Sequence, residues 1–151
     1  MSGETDLIKL YSARILELAA DIPHHGRLEE PDASVKRRAP LCGSTVTVDI
    51  KTDGTKITDY AAEVKACALG QASASIVGGH IIGCDLVQVT EARDALKAML
   101  KQDGPTPPAP FDGLEVLRPA QDYKNRHASI LLTLEALVEA LETAQASSSC
   151  A

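Results

Sequence analysis

The stretch Thr45–Ala66, TVTVDIKTDGTKITDYAAEVKA, decides the fold. Polar and apolar side chains alternate over its first six residues, which is typical of a strand with one buried and one solvated face. The pair Asp53-Gly54 provides a hairpin turn, and apolar residues alternate again from Tyr60 to Ala66. The stretch therefore predicts two antiparallel strands of a small sheet with one solvated face.

Helical periodicity surrounds this hairpin on both sides. Apolar residues recur at helical spacing from about Asp6 to Ala20, and Ala33–Arg38 gives a short third strand. After the hairpin, helices are predicted from Ala68 to about Ile82, from an N-cap at Thr90 to Asp103, and from about His127 to Glu142. Strands and helices occupy separate parts of the chain, which favours an α+β fold. We expect an antiparallel sheet of two to three strands, helices packed on one face, and a long C-terminal helix.

The chain has 151 residues, which suits one domain with its own hydrophobic core. We predict a single domain over residues 1–142 and a flexible, serine-rich tail over residues 143–151. Aromatic residues make up only 3% of the chain, so the core must be aliphatic.

The charge pattern excludes one class of function. The formal net charge is −6, and no basic cluster is longer than Lys36-Arg37-Arg38. Nucleic-acid binding needs a positive surface and often aromatic faces, so we do not expect it.

The cellular compartment is predicted from the N-terminal sequence and from the lengths of the apolar runs. The first residues, MSGETD, lack the layout of a signal peptide, and no apolar run approaches the ~20 residues of a membrane span. We therefore expect a cytoplasmic protein without membrane contact, in which thiols stay reduced. In that compartment, the 4 cysteines favour metal binding or thiol chemistry.

Cys42 and Cys67 are the leading candidates for chemistry. Cys42 lies in a turn beside Gly43, and Cys67 lies where a strand gives way to a helix N-terminus, which favours the thiolate. The two are 25 residues apart (67 − 42), which is the span of one hairpin. We therefore expect both sulfurs at the same end of the sheet, as ligands for a soft metal or a metal–sulfur unit. The alternative is that each is a small buried hydrophobe.

Two thiolates do not complete a zinc or iron–sulfur site. His127 is the best third candidate, because a helix N-terminus disfavours imidazolium and leaves a neutral nitrogen free to coordinate. The alternative is an exposed first-turn histidine. The remaining candidates are weaker: His24 and His25 in a loop that nothing fixes, His80 as a structural residue on a helix face, Cys84 as half-buried and inert, and Cys150 in the tail.

Two motifs resemble those of the U-type iron–sulfur cluster assembly scaffolds, a family with NifU N-terminal, IscU-like and SufU-like members. Ala39-Pro40-Leu41-Cys42-Gly43 is similar to the family's Pro-x-Cys-Gly-Asp turn. Cys67–Ser75, CALGQASAS, is similar to its Gly-Cys-Ala-x-x-x-Ala-Ser-x-Ser helix start. The likeness extends over roughly Leu7 to Leu141.

The resemblance implies a scaffold or a sulfur and iron carrier. In the family, three cysteines and an aspartate hold a nascent iron–sulfur cluster, or zinc in its place. The implied partners are a cysteine desulfurase, which supplies sulfur as persulfide, and cluster-accepting apoproteins, with the chain as a monomer or homodimer. By resemblance, Cys42 and Cys67 correspond to the first two cysteines.

The chain departs from the family pattern at the other two ligands. Ser44 stands where the aspartate is expected, and the third cysteine is absent. Against the SufU-like pattern His127 replaces that cysteine, whereas against the IscU-like pattern His127 matches a histidine and Ala128 replaces the cysteine. The gap of 60 residues (127 − 67) favours the SufU-like branch. The resemblance thus implies that Cys42, Cys67 and His127 bind iron, a cluster or zinc.

Two other functions stay open. A degenerate family member would keep the fold as a non-catalytic binding module for cluster assembly proteins. An enzyme would use Cys67 as nucleophile and His127 as base, although no orienting third residue is evident. We predict no enzymatic activity and no catalytic residues.

Overall fold

A computed structural model describes residues 11–40 and 43–150, and of residues 147–150 only the backbone. The helices are α1 (Ala13–Ala20), α2 (Ala68–Gly78), α3 (Leu86–Gln102) and α4 (His127–Cys150), and the strands are β1 (Ala33–Arg38), β2 (Thr45–Thr52) and β3 (Ile57–Lys65). Two 3-10 segments, Asp112–Asp122 and Lys124–Arg126, connect α3 to α4. The predicted α+β class with a long C-terminal helix is confirmed.

The sheet is an antiparallel meander in the order β1-β2-β3. The register pairs Thr45 with Lys65 at one end of the hairpin, and the predicted antiparallel pairing of the two strands is confirmed. At the other end, the Asp53 carboxylate accepts hydrogen bonds from the backbone N–H groups of Thr55 and Lys56 and closes the turn. The hairpin therefore brings the start of β2 beside the end of β3.

The core lies between the sheet and helices α2 and α4. On β2, Val46, Val48 and Ile50 are buried against the helices, as their period of two requires. Helix α2 presents small buried side chains such as Ala72 and Ala74, so it packs close to its neighbours. The aliphatic core predicted from the composition is confirmed.

The opposite face of the sheet is less solvated than the sequence indicated. The side chain of Asp49, on that face of β2, is 0% exposed. Its oxygens accept hydrogen bonds from Arg27 Nε at 2.6 Å, Ser34 Oγ at 2.6 Å and the Leu28 N–H at 3.0 Å. The loop before β1 therefore crosses this face and covers part of it.

Two predicted helix boundaries were wrong, and the predicted start near Asp6 lies outside the described residues. Helix α1 begins at Ala13, where the Ser12 hydroxyl accepts a hydrogen bond from the Ile15 N–H and caps the helix. Helix α2 ends at Gly78 rather than near Ile82. Helix α3 begins after Asp85, not Thr90, since Asp85 and Gln88 form a reciprocal capping box.

Helix α4 continues to Cys150, past the boundary predicted at residue 142, and Ala144 is buried in the core. The single domain and the flexibility of the tail stay predictions. Within residues 11–40 and 43–150, none of the helices combines the length and hydropathy needed to cross a bilayer.

Candidate functional site

Cys67 joins β3 to α2 and serves as the N-cap residue of that helix. Its backbone carbonyl accepts from the Gln71 N–H at 2.9 Å, whereas its side chain makes no capping bond to the helix. The thiol is free and half-buried. Cys67 therefore lies at the positive end of the α2 dipole, as the sequence predicted.

Two serines lie next to Cys67. The Ser129 hydroxyl is 3.7 Å from Cys67 Sγ and 3.0 Å from the Ser44 hydroxyl. Ser129 and Ser44 are 2% and 4% exposed. Three elements thus converge here, since Ser44 precedes β2, Cys67 follows β3 and Ser129 lies in the first turn of α4. We call these three residues the serine–cysteine cluster.

Gly70 makes room for this arrangement. A Cβ atom at Gly70 would overlap the Ser129 hydroxyl oxygen and would lie 3.2 Å from the Ser129 carbonyl oxygen. Nearby, the Ser73 hydroxyl donates to the Ile130 carbonyl at 2.7 Å. Helices α2 and α4 therefore cross in close contact at Gly70, with Ser129 pressed toward Cys67.

Cys42 lies outside the described residues, so its predicted role is not tested. The residues on either side of it form a turn, in which the Gly43 N–H donates to the Ala39 carbonyl at 3.0 Å. Gly43 has φ of +72°, a conformation that glycine adopts without strain. The start of β2 and the end of β3 lie at the same end of the sheet, since Ser44 and Cys67 both contact Ser129.

His127 begins α4, as predicted, but it is 3% exposed, so the alternative of an exposed histidine was wrong. Its Nε2 lies 2.9 Å from the Ala120 carbonyl oxygen; a carbonyl only accepts, so Nε2 carries the hydrogen. Among the residues described, Nδ1 has no hydrogen-bond partner. His127 and Ser129 are two residues apart, about 200° around the helix. The contact with Cys67 that the structure shows is therefore the one made by Ser129.

The remaining candidates lie elsewhere. Cys84 is buried and its S–H donates to the His80 carbonyl at 3.3 Å; burial and the neighbouring Asp85 charge raise its pKa, which keeps it an unreactive thiol. His80 is exposed and lies beyond the end of α2, not on its face. His24 and His25 are held by the edge of β3, since the Ala62 N–H donates to the His24 carbonyl and His25 bridges to Ala62. The expectation that nothing fixes this loop was wrong.

The chemistry available in the described part of the site is one thiol with two hydroxyls. No group of three or more His, Cys, Asp or Glu side chains able to hold a metal occurs within residues 11–40 and 43–146, whose side chains the structure describes. The assignment of Cys42, Cys67 and His127 as ligands stays a prediction. Sequence reasoning missed Ser129; the available signal was Gly70, three residues after Cys67 on a helix facing α4.

Comparisons with known proteins support the resemblance found in the sequence. The family described as NifU-like N terminal domain matches residues 10–129. The iron-sulfur cluster assembly scaffold protein IscU of Streptococcus pyogenes serotype M1 is 26% identical over 133 residues, which cover 88% of this chain and 83% of that protein.

Two solved structures share the fold over most of the chain. A nitrogen-fixing NifU-like protein (N-terminal) from Brucella abortus has a TM-score of 0.89 and 44% identity, covering 93% of this chain and 98% of that one. The putative scaffold protein for the SUF system from Fervidobacterium islandicum AW-1 has a TM-score of 0.78 and 25% identity, covering 89% and 98%. With the family match spanning most of its length, this chain belongs to the NifU-like N-terminal domains, the U-type iron–sulfur cluster assembly scaffolds.

Proposed function

We propose that this chain carries iron or a nascent iron–sulfur cluster as cargo during cluster assembly, through the thiolates of Cys42 and Cys67. The observation that carries the proposal is the position of Cys67, a free and half-buried thiol at the end of the sheet where three elements converge. Cys42 is included because only one residue separates it in sequence from Ser44, which lies in the serine–cysteine cluster. Thiolates suit iron–sulfur units, whose irons take cysteine ligands. The names of the relatives give no support to zinc.

The sulfur would come from a cysteine desulfurase. In the transfer, the Cys67 thiolate attacks the outer sulfur of the desulfurase persulfide, a new S–S bond forms, and the desulfurase cysteine leaves as a thiolate. The step is an exchange without net oxidation. Incorporation of the transferred sulfur into a cluster as sulfide then takes two electrons per sulfur from a separate reductant. Cluster-accepting apoproteins would then receive the assembled unit, with the carrier as a monomer or homodimer in the cytoplasm.

His127 is the proposed third ligand, through Nδ1. Within the described part of the chain Nδ1 has no hydrogen-bond partner, which favours this role. The Nε2–H group is held by a carbonyl, as in many ligating histidines. Replacement of His127 by alanine decides the matter, with loss of bound iron expected if it ligates.

Anaerobic reconstitution with ferrous iron and sulfide tests the function. We expect wild-type protein to acquire a visible chromophore with bound iron and sulfide, and Cys67→Ala and Cys42→Ala to lose it. Cys84→Ala is the matched control, because it deletes the same atom from a buried cysteine outside the site, and it should load like wild type. A colourless wild-type protein, or equal loading of the Cys67→Ala variant, would show that the proposal is wrong.

The second candidate is a non-catalytic binding module. The neutral hydroxyls of Ser44 and Ser129 beside Cys67 favour it, because they are poorer metal ligands than thiolates or carboxylates. In that case the Cys42→Ala, Cys67→Ala double variant should still bind a cysteine desulfurase in a pull-down. Loss of binding in the double variant, with its circular dichroism unchanged, would exclude this candidate.

A further inference from the structure

Ser129 contacts Cys67 without being one of the residues assigned to cargo binding. We propose that Ser129 is a positioning residue for Cys67, whose hydroxyl donates a hydrogen bond to the sulfur and fixes its orientation toward the cargo. The inference rests on the function proposed above and concerns how that site is held. It is carried by the contacts of Ser129 with Cys67, Ser44 and Gly70.

The direction of the hydrogen bonds follows from the number of protons. A serine hydroxyl has one hydrogen to donate and two lone pairs that accept. A thiolate, free or bound to metal, has no hydrogen, so across the 3.7 Å contact only Ser129 can donate. Ser129 then accepts from Ser44 across the 3.0 Å contact. The serine–cysteine cluster is thus a directed chain from Ser44 through Ser129 to Cys67.

Ser129 has little freedom to leave this position. It is 2% exposed, and its hydroxyl fills the space left by the missing side chain of Gly70. The next residue of α4, Ile130, is tied to α2 through the Ser73 hydroxyl at 2.7 Å. The donor is therefore fixed before any cargo arrives, which is the condition for holding a ligand atom in place.

A hydrogen bond to a ligating sulfur also changes the metal site. It withdraws electron density from the sulfur, so the sulfur donates less to the metal, and in iron–sulfur proteins such bonds are among the determinants of reduction potential. Partners of this kind around metal ligands affect the site although they touch no metal. Ser129 should therefore have an electronic signature as well as a structural one.

The electronic effect can be measured by adding cobalt(II) anaerobically to the metal-free protein and recording its absorption spectrum. We expect Ser129→Ala to shift the sulfur-to-cobalt charge-transfer band to lower energy, because the sulfur becomes a stronger donor. Ser73→Ala is the matched control, since it removes a buried serine hydroxyl that joins the same two helices without touching Cys67. Identical band positions in wild type and Ser129→Ala would overturn the proposal.

A double-mutant cycle tests the same contact without metal. We expect the free energies of urea unfolding of Ser129→Ala and Cys67→Ala to be non-additive, whereas those of Ser73→Ala and Cys67→Ala should add. Additivity of the Ser129 cycle would overturn the proposal even if all variants fold. If wild type bound no cobalt while the Ser129 cycle remained non-additive, the cargo function would fail and the Ser129–Cys67 coupling would stand.

Discussion

Strand β2 touches two buried polar clusters of opposite design. Near its middle, Asp49 accepts bonds from Arg27, Ser34 and Leu28, with the short contacts at 2.6 Å. Just before its start, Ser44 meets Ser129 at 3.0 Å, and Ser129 meets Cys67 at 3.7 Å. The first cluster contains a buried carboxylate with strong hydrogen-bond donors. The second contains two neutral hydroxyls and a sulfur atom that lies 3.7 Å from the nearer hydroxyl.

The difference separates stability from function. Charge-assisted hydrogen bonds are roughly twice as strong as neutral ones, so the Asp49 cluster pins the loop before β1 onto the sheet. The serine–cysteine cluster provides weak bonds and a half-buried thiol, so it leaves the sulfur able to react or bind. Four variants or conditions test this contrast, and they are ordered by expected effect.

Asp49→Asn should have the largest effect on stability. Removing the charge leaves Arg27 without its buried partner, and such losses typically cost 3–5 kcal/mol; because the Arg27 side chain is 49% exposed and can rehydrate, we expect about 3 kcal/mol. Urea unfolding measures the change. Asp59→Asn, an exposed aspartate on β3, is the control and should stay within about 0.5 kcal/mol. Equal effects of the two would contradict the comparison.

Acid should remove the same stabilisation. Burial works to raise the pKa of Asp49, but the hydrogen bonds from Arg27, Ser34 and Leu28 outweigh it, so the pKa lies below its ordinary value. Because the pKa of Asp49 is lower in the folded chain, the ionised carboxylate stabilises the fold at pH values above its unfolded-state pKa of about 3.9. This stabilisation is lost as the pH falls through the folded-state pKa. The stability difference between wild type and Asp49→Asn should therefore vanish at low pH. A difference that persisted unchanged at pH 2 would refute this.

Gly70→Ala should disturb the serine–cysteine cluster. The added methyl group overlaps Ser129, and the gain in helix propensity of about 1 kcal/mol offsets only part of the strain, so we expect a net loss of about 1–2 kcal/mol. Gly79→Ala is the control, because its Cβ would meet its nearest atom, a backbone oxygen, at 3.4 Å. We expect Gly70→Ala, but not Gly79→Ala, to change the alkylation rate of Cys67. Similar rates in both variants would mean that Ser129 does not depend on Gly70.

Ser34→Ala should have the smallest effect. It removes one of the donors to Asp49, yet Arg27 and the Leu28 N–H remain, so we expect about 1 kcal/mol in urea unfolding. Ser34→Thr keeps the hydroxyl and suits a strand, so it should restore most of the stability. A loss of stability as large as that of Asp49→Asn would show that Arg27 and the Leu28 N–H do not hold the Asp49 carboxylate without Ser34.

The hairpin and the position of Cys67 could be predicted because both depend on local sequence. Alternation and the Asp53-Gly54 turn predict two antiparallel strands, and β2 and β3 pair in this way. The start of α3 also has a local signal, since Asp85 and Gln88 have capping-box spacing, but Thr90 is a competing N-cap residue five positions later. Errors of this kind arise where two local signals compete.

The contact of Ser129 with Cys67 could not be predicted in the same way. The two residues are 62 positions apart, and their meeting depends on the rotation of α4 about its axis. The burial of His127 likewise depends on the 3-10 segment that supplies the Ala120 carbonyl. Such placements follow from tertiary packing and not from the spacing of residues within α4.

The convergence of Ser44, Cys67 and Ser129 has a thermodynamic consequence for loading. The Ser44–Ser129 contact joins residues 85 positions apart, so the site exists only in the folded chain. A ligand that binds the folded chain alone stabilises it by about 2.7 kcal/mol at a hundred times its Kd. Release of cargo would therefore lower the free energy of unfolding of the protein as well as vacate the site. The difference in thermal midpoint between loaded and unloaded protein would report occupancy directly, and proteases would degrade the unloaded form faster.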